Sequence, residues 1–226
     1  MIDIDRLIFS FFNLKIAEKY LPLIAEGVAT TISLGLAVIF TGILVGLLLS
    51  LVRSQQIKFI NLFIIILVDI CRSLPPLVLI ILFYFALPYI QISMSAFTST
   101  WFALSLVLAA FSEEIFWAGI LSIPKGQWEA ARSTGLSSWR ALMYVILPQA
   151  LKLTVAPLTS RAIAITKGTA LGSVVALHEV LNIASSSSSE AGNATPLIMG
   201  AFVYLIIFIP FVMFGRWVES HFSWKR

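Results

Sequence analysis

Long apolar runs separated by short polar connections dominate the chain. Three stretches contain no Asp, Glu, Lys or Arg, namely residues 27–52, 73–112 and 191–215. A helix needs about 20 apolar residues to cross about 30 Å of hydrocarbon, so each stretch can span a membrane and the middle one can cross twice. The pattern predicts an all-α integral membrane protein.

We predict five transmembrane helices within a single transmembrane domain, residues 1–226. The second is interrupted by CRSLPP at 71–76, because adjacent prolines remove two backbone donors. Pro210 predicts a kink in the fifth. Dividing the second helix would give six spans and would break the alternation between basic loops and loops that lack lysine and arginine. The predicted spans are about 23–52, 59–87, 96–121, 150–175 and 196–218.

Lysine and arginine are unevenly distributed among the connections. They occur after the first span, after the third span and in the C-terminal tail, whereas connections 88–97 and 176–195 have none. Because basic residues favour cytoplasmic loops, this predicts an outside N-terminus and a cytoplasmic C-terminus. The exception is the N-terminal segment, which contains Arg6, Lys15 and Lys19.

The composition agrees with a membrane protein. Hydrophobic residues make up 59% and charged residues 12%, and the mean hydropathy of +0.99 is far above that of soluble domains. The net charge of +4 is better explained by cytoplasmic loops than by nucleic-acid binding. The mixed charges of the first 26 residues predict no cleavable signal peptide. A single Cys71 and two histidines predict neither a disulfide nor a metal site.

The connection between the third and fourth spans, about Ser122 to Gln149, differs sharply from the spans. Pro124 suits the first turn of a helix, residues 127–133 are good helix formers, and Gly135 permits a turn. We call this connection the EAA loop, after the EAA sequence at 129–131.

A second helix is expected in the EAA loop. Ser137 or Ser138 is a suitable N-cap, and the helix should run to Leu147 before Pro148 constrains the chain again. The prediction is a helix, a turn and a helix at the cytoplasmic membrane face.

Two interpretations of the EAA loop remain open from its chemistry. One is an amphipathic hairpin that only anchors the loop. The other is a docking element, because Ala130 and Ala131 would leave a low surface and Glu129 beside Arg132 would supply charges that set register.

The spacing E-A-A-x3-G, followed after nine residues by V-I-L-P, resembles the signature of permease subunits of binding-protein-dependent ABC importers. In that family the loop forms a coupling helix seated in a groove of the ATP-binding subunit. Val145 replaces the usual isoleucine. The resemblance implies an ATPase-coupling role for Glu129, Ala130, Ala131, Gly135, Leu147 and Pro148.

Further segments resemble the polar amino acid uptake branch of the family. They are GVATT at 27–31, RSLPPLV at 72–78, EEIFWAGILSIPKGQ at 113–127, LPQAL at 147–151 and KGTALGSVVALHEVL at 167–181. Tyr204 and Glu219 also fit. This chain departs from the branch at Ser73, Leu74, Trp117, Arg161 and Gly168, so the particular substrate stays open.

The resemblance implies partners rather than an enzymatic activity. We expect two cytoplasmic ATP-binding subunits that use ATP and Mg, an external solute-binding protein, and a second permease chain, identical or homologous. No cofactor is expected on this chain, which lacks a Walker-type phosphate loop. The expected location is the bacterial cytoplasmic (inner) membrane, as a multi-pass protein in contact with lipid.

Charged residues within the spans are the second group of candidates, because burying a charge in a membrane is costly unless it is paired or hydrated. They form structural ion pairs, extend to the membrane interface, or line the pathway. Asp69 and Arg72 are three residues apart and form a possible pair. For Arg72 and Glu113 the favoured interpretation is a structural ion pair or a side chain that extends to the membrane interface. The candidates for the substrate pathway are Asp69, Arg72, Ser73, Glu114, Trp117, Arg161, Lys167 and Thr169.

Two competing functions remain. An autonomous ion-coupled carrier or channel could use Asp69, Glu114 and Lys167 as a charge relay, and a structural membrane anchor is the third possibility. Neither explains the EAA loop. The SSSSSE sequence at 185–190 is expected to be a flexible outer connector.

Overall fold

The structure, a computed structural model, describes residues 4–222, and the secondary structure within that range is helical throughout. Ten α-helices follow one another, with π-helical or 3₁₀ segments between some of them. They are α1 (Ile4–Phe11), α2 (Leu14–Arg53), α3 (Lys58–Ser73), α4 (Pro76–Ile81), α5 (Ala96–Leu121), α6 (Lys125–Ser133), α7 (Ser138–Ala141), α8 (Leu147–Thr166), α9 (Val180–Ala191) and α10 (Thr195–Phe222).

Four helical segments are long and apolar enough to cross a membrane: Ile4–Arg53, Ala96–Leu121, Ser138–Val175 and Thr195–Phe222. The bent pair Lys58–Ser73 and Pro76–Ile90, whose parts meet at 100°, has the composition of either a broken span or a re-entrant loop. The bend lies at the prolines where the sequence predicts a break. Counting the bent pair as one span gives the five predicted transmembrane helices.

The second helix of the EAA loop does not end at Pro148 as predicted. It continues into the fourth span through a π-helical segment, Leu142–Ile146. The Leu147 N–H donates to the Leu142 carbonyl, five residues back, and this wide turn lets the helix continue beside a proline that lacks an N–H. Leu87 donates to Leu82 in the same way immediately before Pro88.

The serine-rich sequence at 185–190 is helical, so the prediction of a flexible connector is wrong. It belongs to α9, which ends at Gly192 with a φ of +58°. The Ser189 hydroxyl donates to the Ser185 carbonyl at 3.1 Å and the Ser188 hydroxyl donates to the Asn193 carbonyl at 2.8 Å. These two hydroxyls therefore bond to backbone carbonyls in and just after the helix.

The chain divides into two compact units. Unit 1 contains residues 4–37, 76–104 and 166–212, and unit 2 contains residues 38–75, 105–165 and 213–222. The long helices α2, α5 and α10 each contribute to both units. The EAA loop lies wholly in unit 2.

The core of unit 1 forms where α9 packs against α2. Tyr20 and Ile24 bury their side chains against Val180 and Ile183. A Cβ atom on Gly27 would lie 2.7 Å from the Val180 backbone nitrogen, so the absence of a side chain permits this close approach.

A fully buried carboxylate holds the start of α9. Glu179 accepts hydrogen bonds from the Asn182 and Leu181 N–H groups at 2.7 and 2.9 Å, and from the Tyr204 hydroxyl at 2.5 Å. Burial raises the pKa of the Glu179 carboxyl, and these hydrogen bonds counteract part of that rise. The side chain therefore acts as an N-cap that also ties α9 to α10.

Unit 2 contains two apolar clusters. One joins α3 to α5 through Ile64, Val68, Cys71 and Ala110. The other supports the EAA loop and consists of Leu51, Ile120, Ile123, Leu142, Ile146, Leu147 and Ala150. A Cβ atom on Gly46 would lie 2.5 Å from the Ser112 Cβ, so this glycine lets α2 approach α5 closely.

Replacing the buried cap should loosen α9 locally. We expect Glu179→Ala to destabilise its first turn by about 0.5–2 kcal/mol, since two backbone N–H groups lose their acceptor. Hydrogen exchange of residues 180–186 measures this. The matched control Tyr204→Phe keeps the cap and should change exchange less; equal exchange in both variants would contradict the capping role.

Candidate functional site

The EAA loop has the predicted helix, turn and helix. Its first helix is α6, and the turn contains Gly135 with a φ of +85°, a conformation that favours glycine. The Ser137 hydroxyl caps α7 by accepting from the Arg140 N–H at 3.4 Å. Arg132 also contacts the Ser138 hydroxyl across the turn. The loop is thus an ordered element of unit 2.

The EAA loop rests on the core through one face of α6. Trp128 packs on the cluster that contains Leu142 and Ile146, and Gln149 donates its side-chain N–H to Gln127 Oε1 at 3.3 Å. These contacts hold α6 against the start of the fourth span.

The six coupling candidates divide between the surface and the core. Glu129, Ala130, Gly135 and Pro148 are exposed, whereas Ala131 and Leu147 are only 6% and 8% exposed. Ala131 lies three residues after Trp128 and therefore faces the core with it. The expectation that both alanines form a low exposed surface is wrong for Ala131.

The most buried charge in unit 2 is Glu113. Its carboxylate is fully buried and accepts from Arg53 Nη1 at 3.0 and 3.1 Å, while the Arg53 side chain is 17% exposed. The Arg53 guanidinium carbon also lies 4.8 Å from the centre of the Trp117 ring. Of the two structural alternatives expected for Glu113, an ion pair or extension to the interface, the structure has the ion pair.

Arg72 pairs with Glu114 rather than with Asp69, so the predicted Asp69–Arg72 pair is wrong. Arg72 Nη1 lies 2.6 Å from Glu114 Oε2, and the two side chains are 30% and 48% exposed. Asp69 is exposed and forms no ion pair with any residue in 4–222. Arg72 reaches α5 because Ile64, Val68 and Cys71 pack that face of α3 against α5.

Arg161 contacts the same aromatic ring as Arg72, that of Phe111. Its guanidinium carbon is 3.8 Å from the centre of the Phe111 ring, and that of Arg72 is 5.2 Å from the same centre. The structure therefore brings together three of the predicted candidates, Arg72, Glu114 and Arg161.

The other candidates for the pathway lie elsewhere. Ser73 is exposed and donates to the Asp69 carbonyl at 2.7 Å, and Trp117 lines a cavity of about 430 Å³ with Trp128 and Lys125. Lys167 and Thr169 belong to unit 1. Lys167 is exposed, and the buried Thr169 hydroxyl has no hydrogen-bond partner among the described residues.

Sequence reasoning missed Arg53 and Phe111 as partners of the intramembrane charges. The sequence marks Arg53 only as one of the basic residues after the first span, although its position directly after an apolar run leaves it within reach of a buried acid. Phe111 had no distinguishing signal, because it is one of 17 phenylalanines.

No group of three or more potential metal-ligating His, Cys, Asp or Glu residues occurs within residues 4–222. The site therefore consists of a surface loop and a set of ion pairs. Such an arrangement can bind a protein and a charged solute, and the described residues contain no cluster suited to metal chemistry.

The two ion pairs should differ in their contribution to stability. Glu113→Gln leaves Arg53 without its buried partner and should destabilise the protein by about 3–5 kcal/mol, whereas Glu114→Gln, in the more exposed pair, should cost about 0–1 kcal/mol. Both losses of stability are measured by thermal unfolding in detergent. Labelling of the Cys71 thiol, which is buried in the folded protein, reports the unfolding. Equal losses would contradict the difference in burial.

Known proteins resemble this chain over nearly its whole length. The probable amino-acid ABC transporter permease protein YckA of Bacillus subtilis is 31% identical, over 94% of each chain. The L-cystine transport system permease protein TcyB of the same organism is 29% identical, over 85% of this chain and 83% of the relative.

Solved structures show the same fold. A crystal structure of an amino acid ABC transporter with histidines superposes with a TM-score of 0.81 at 32% identity, covering 89% of this chain and 95% of that chain. An inward-facing structure of the MetNI methionine ABC transporter superposes with a TM-score of 0.71 at 25% identity, covering 90% and 98%.

The sequence profile of the family described as "Binding-protein-dependent transport system inner membrane component" matches residues 39–224, which include the entire EAA loop and the intramembrane ion pairs. Transport that depends on a binding protein does not support the autonomous ion-coupled carrier or channel, nor a purely structural anchor. The protein is therefore a component of the inner membrane. The chain belongs to the family of inner membrane permease components of binding-protein-dependent ABC importers.

Proposed function

We propose that this permease subunit carries a polar amino acid, or a related small solute, across the membrane into the cell. The relatives named above as amino-acid and L-cystine permeases support this substrate class, as do the charged groups within the spans, which suit a solute that bears a carboxylate and an ammonium.

The EAA loop is the proposed surface for the ATP-binding subunit. The observation that carries this proposal is a helix, turn and helix that combines the E-A-A-x3-G spacing with exposure of Glu129, Ala130 and Gly135. Glu129 would set register with the partner, and Ala130 would allow close approach. The buried residues Ala131 and Leu147 would hold the loop on its core.

ATP and Mg would be used by the partner subunits, and this chain would have no enzymatic activity of its own. An external solute-binding protein would deliver the substrate. A second permease chain, identical or homologous, would complete the pathway, with the N-terminus outside and the C-terminus in the cytoplasm as the loop charges predict.

Movement of the EAA loop would be transmitted directly to a membrane-spanning helix. Closure of the ATPase dimer would shift α6, which packs on Leu142 and Ile146, and these residues belong to the continuous helical segment Ser138–Val175. A continuous helix transmits displacement better than a hinged one, so the spans would rock between inward-open and outward-open states. Each state would be favoured by differential contacts with a partner.

Reconstitution in vesicles tests the proposed dependence on partners. We expect amino-acid uptake only when vesicles contain this permease with its ATP-binding subunits, ATP on the subunits' side and the binding protein on the other. Vesicles with the permease alone and an ion gradient are the control. Uptake by that control would contradict the proposal.

Changes on the exposed face of the EAA loop should weaken docking of the ATP-binding subunit. Glu129→Lys reverses a surface charge, and Gly135→Asp places a side chain where the φ is +85°. We expect at least about a tenfold weaker association, equivalent to about 1.4 kcal/mol, measured by co-purification and binding-protein-stimulated ATP hydrolysis.

The matched control for Gly135→Asp is Gly192→Asp. Gly192 also has a positive φ, +58°, and open space around its Cα, but it follows α9 rather than α6. This control should retain docking. Wild-type association of both EAA-loop variants would show that the loop is not the docking surface.

A further inference from the structure

Two arginine side chains of unit 2 share one aromatic ring within the spans. Arg161 from α8 lies 3.8 Å and Arg72 from α3 lies 5.2 Å from the centre of the Phe111 ring, measured from each guanidinium carbon. Glu114, three residues after Phe111 on α5, pairs with Arg72 at 2.6 Å. We call Arg72, Phe111, Glu114 and Arg161 the guanidinium cluster.

The donors of this cluster exceed its acceptors. Arg161 is partly buried and has five N–H donors, but it forms no hydrogen bond or ion pair with any residue in 4–222. The Arg72 Nε is buried and also lacks a hydrogen-bond partner among the described residues. Unsatisfied guanidinium donors in a membrane span need water or an anionic partner.

The nearby acids do not supply that partner. Glu113 is occupied by Arg53, and Glu114 uses Oε2 for Arg72, which leaves its Oε1 open. Asp69 is exposed and makes no ion pair within the described residues, so it does not neutralise Arg161 by contact. The cluster therefore presents two guanidinium groups and one carboxylate.

We propose that the guanidinium cluster is a substrate subsite selective for an acidic amino acid, which has two carboxylates, one ammonium and a net charge of −1. This inference rests on the proposed function and names the substrate class. The carboxylates complement the two guanidinium groups, whose planar donors suit bidentate binding of carboxylates. The ammonium complements Glu114.

Charge balance distinguishes this substrate from its competitors. An acidic amino acid brings the net charge of the cluster from +1 to zero, whereas a neutral amino acid leaves one guanidinium unpaired. A basic amino acid adds a positive charge next to an existing one. Both mismatches are unfavourable where water is scarce, because electrostatic interactions strengthen as the local dielectric constant falls.

Direct binding to the complete complex tests the proposal without the selectivity of the binding protein. The permease with its ATP-binding subunits is placed in lipid nanodiscs, and binding of tritiated glutamate, glutamine, aspartate and asparagine is measured. Each acid has nearly the same shape as its amide. We expect each acid to bind at least about tenfold tighter than its amide, equivalent to about 1.4 kcal/mol.

Variants assign the preference to Arg161. Arg161→Gln should bring the acid-to-amide ratio of affinities close to one, and Arg161→Lys, which keeps the charge but loses the planar donors, should give an intermediate ratio. Lys152→Gln removes an exposed charge from the same helix and should leave the ratio unchanged.

The outcomes that overturn the proposal are equal affinities for acid and amide in the wild type, no binding of either acid, or an unchanged ratio in Arg161→Gln. Co-purification with the ATP-binding subunits and their ATP hydrolysis are measured on the same samples. If these persist while the acid preference is absent, the subsite proposal fails and the permease function stands. If the subunits do not associate with the wild type, the proposed function itself fails.

Discussion

The structure of unit 2 depends on neutralising charges that lie within apolar helices. The Arg53–Glu113 pair is the strongest case, because a fully buried carboxylate is held by a single guanidinium. An uncompensated charge at this position would be far more costly than the pair itself. The pair joins the last residue of α2 to α5, close to the apolar cluster on which the EAA loop rests.

Two tryptophan side chains connect the Arg53–Glu113 pair to the EAA loop. Arg53 lies over the Trp117 ring, and Trp117 shares a cavity wall with Trp128, the α6 residue that packs on the apolar cluster. The position of the exposed face of α6 is thus set by buried contacts on its opposite face. This is why Ala131 and Leu147, although part of the signature, are core residues, while Glu129 and Ala130 remain available to a partner.

Prolines have opposite consequences at different positions. At Leu74-Pro75-Pro76 the helix breaks and the two parts meet at 100°, whereas at Pro148 the helix continues. The difference is the π-helical turn before Pro148, in which Leu147 bonds five residues back. The wide turn makes room for the ring, so the EAA loop and the fourth span form one continuous segment. Local sequence rules predict the missing N–H but not which of these responses follows.

Several features of this protein were determined by the sequence alone. Long apolar runs indicate the membrane-spanning character of the chain, and the spacing from Glu129 to Pro148 indicates the family, because both depend only on order along the chain. Pairing depends instead on which helices meet in space. Arg72 has Asp69 nearby in sequence, yet it pairs with Glu114, because α3 packs against α5. Phe111 has no distinguishing signal in the sequence, but two guanidinium groups lie against its ring because α3, α5 and α8 converge there. The tertiary structure alone therefore decided which charged side chains have a partner of opposite charge and which do not.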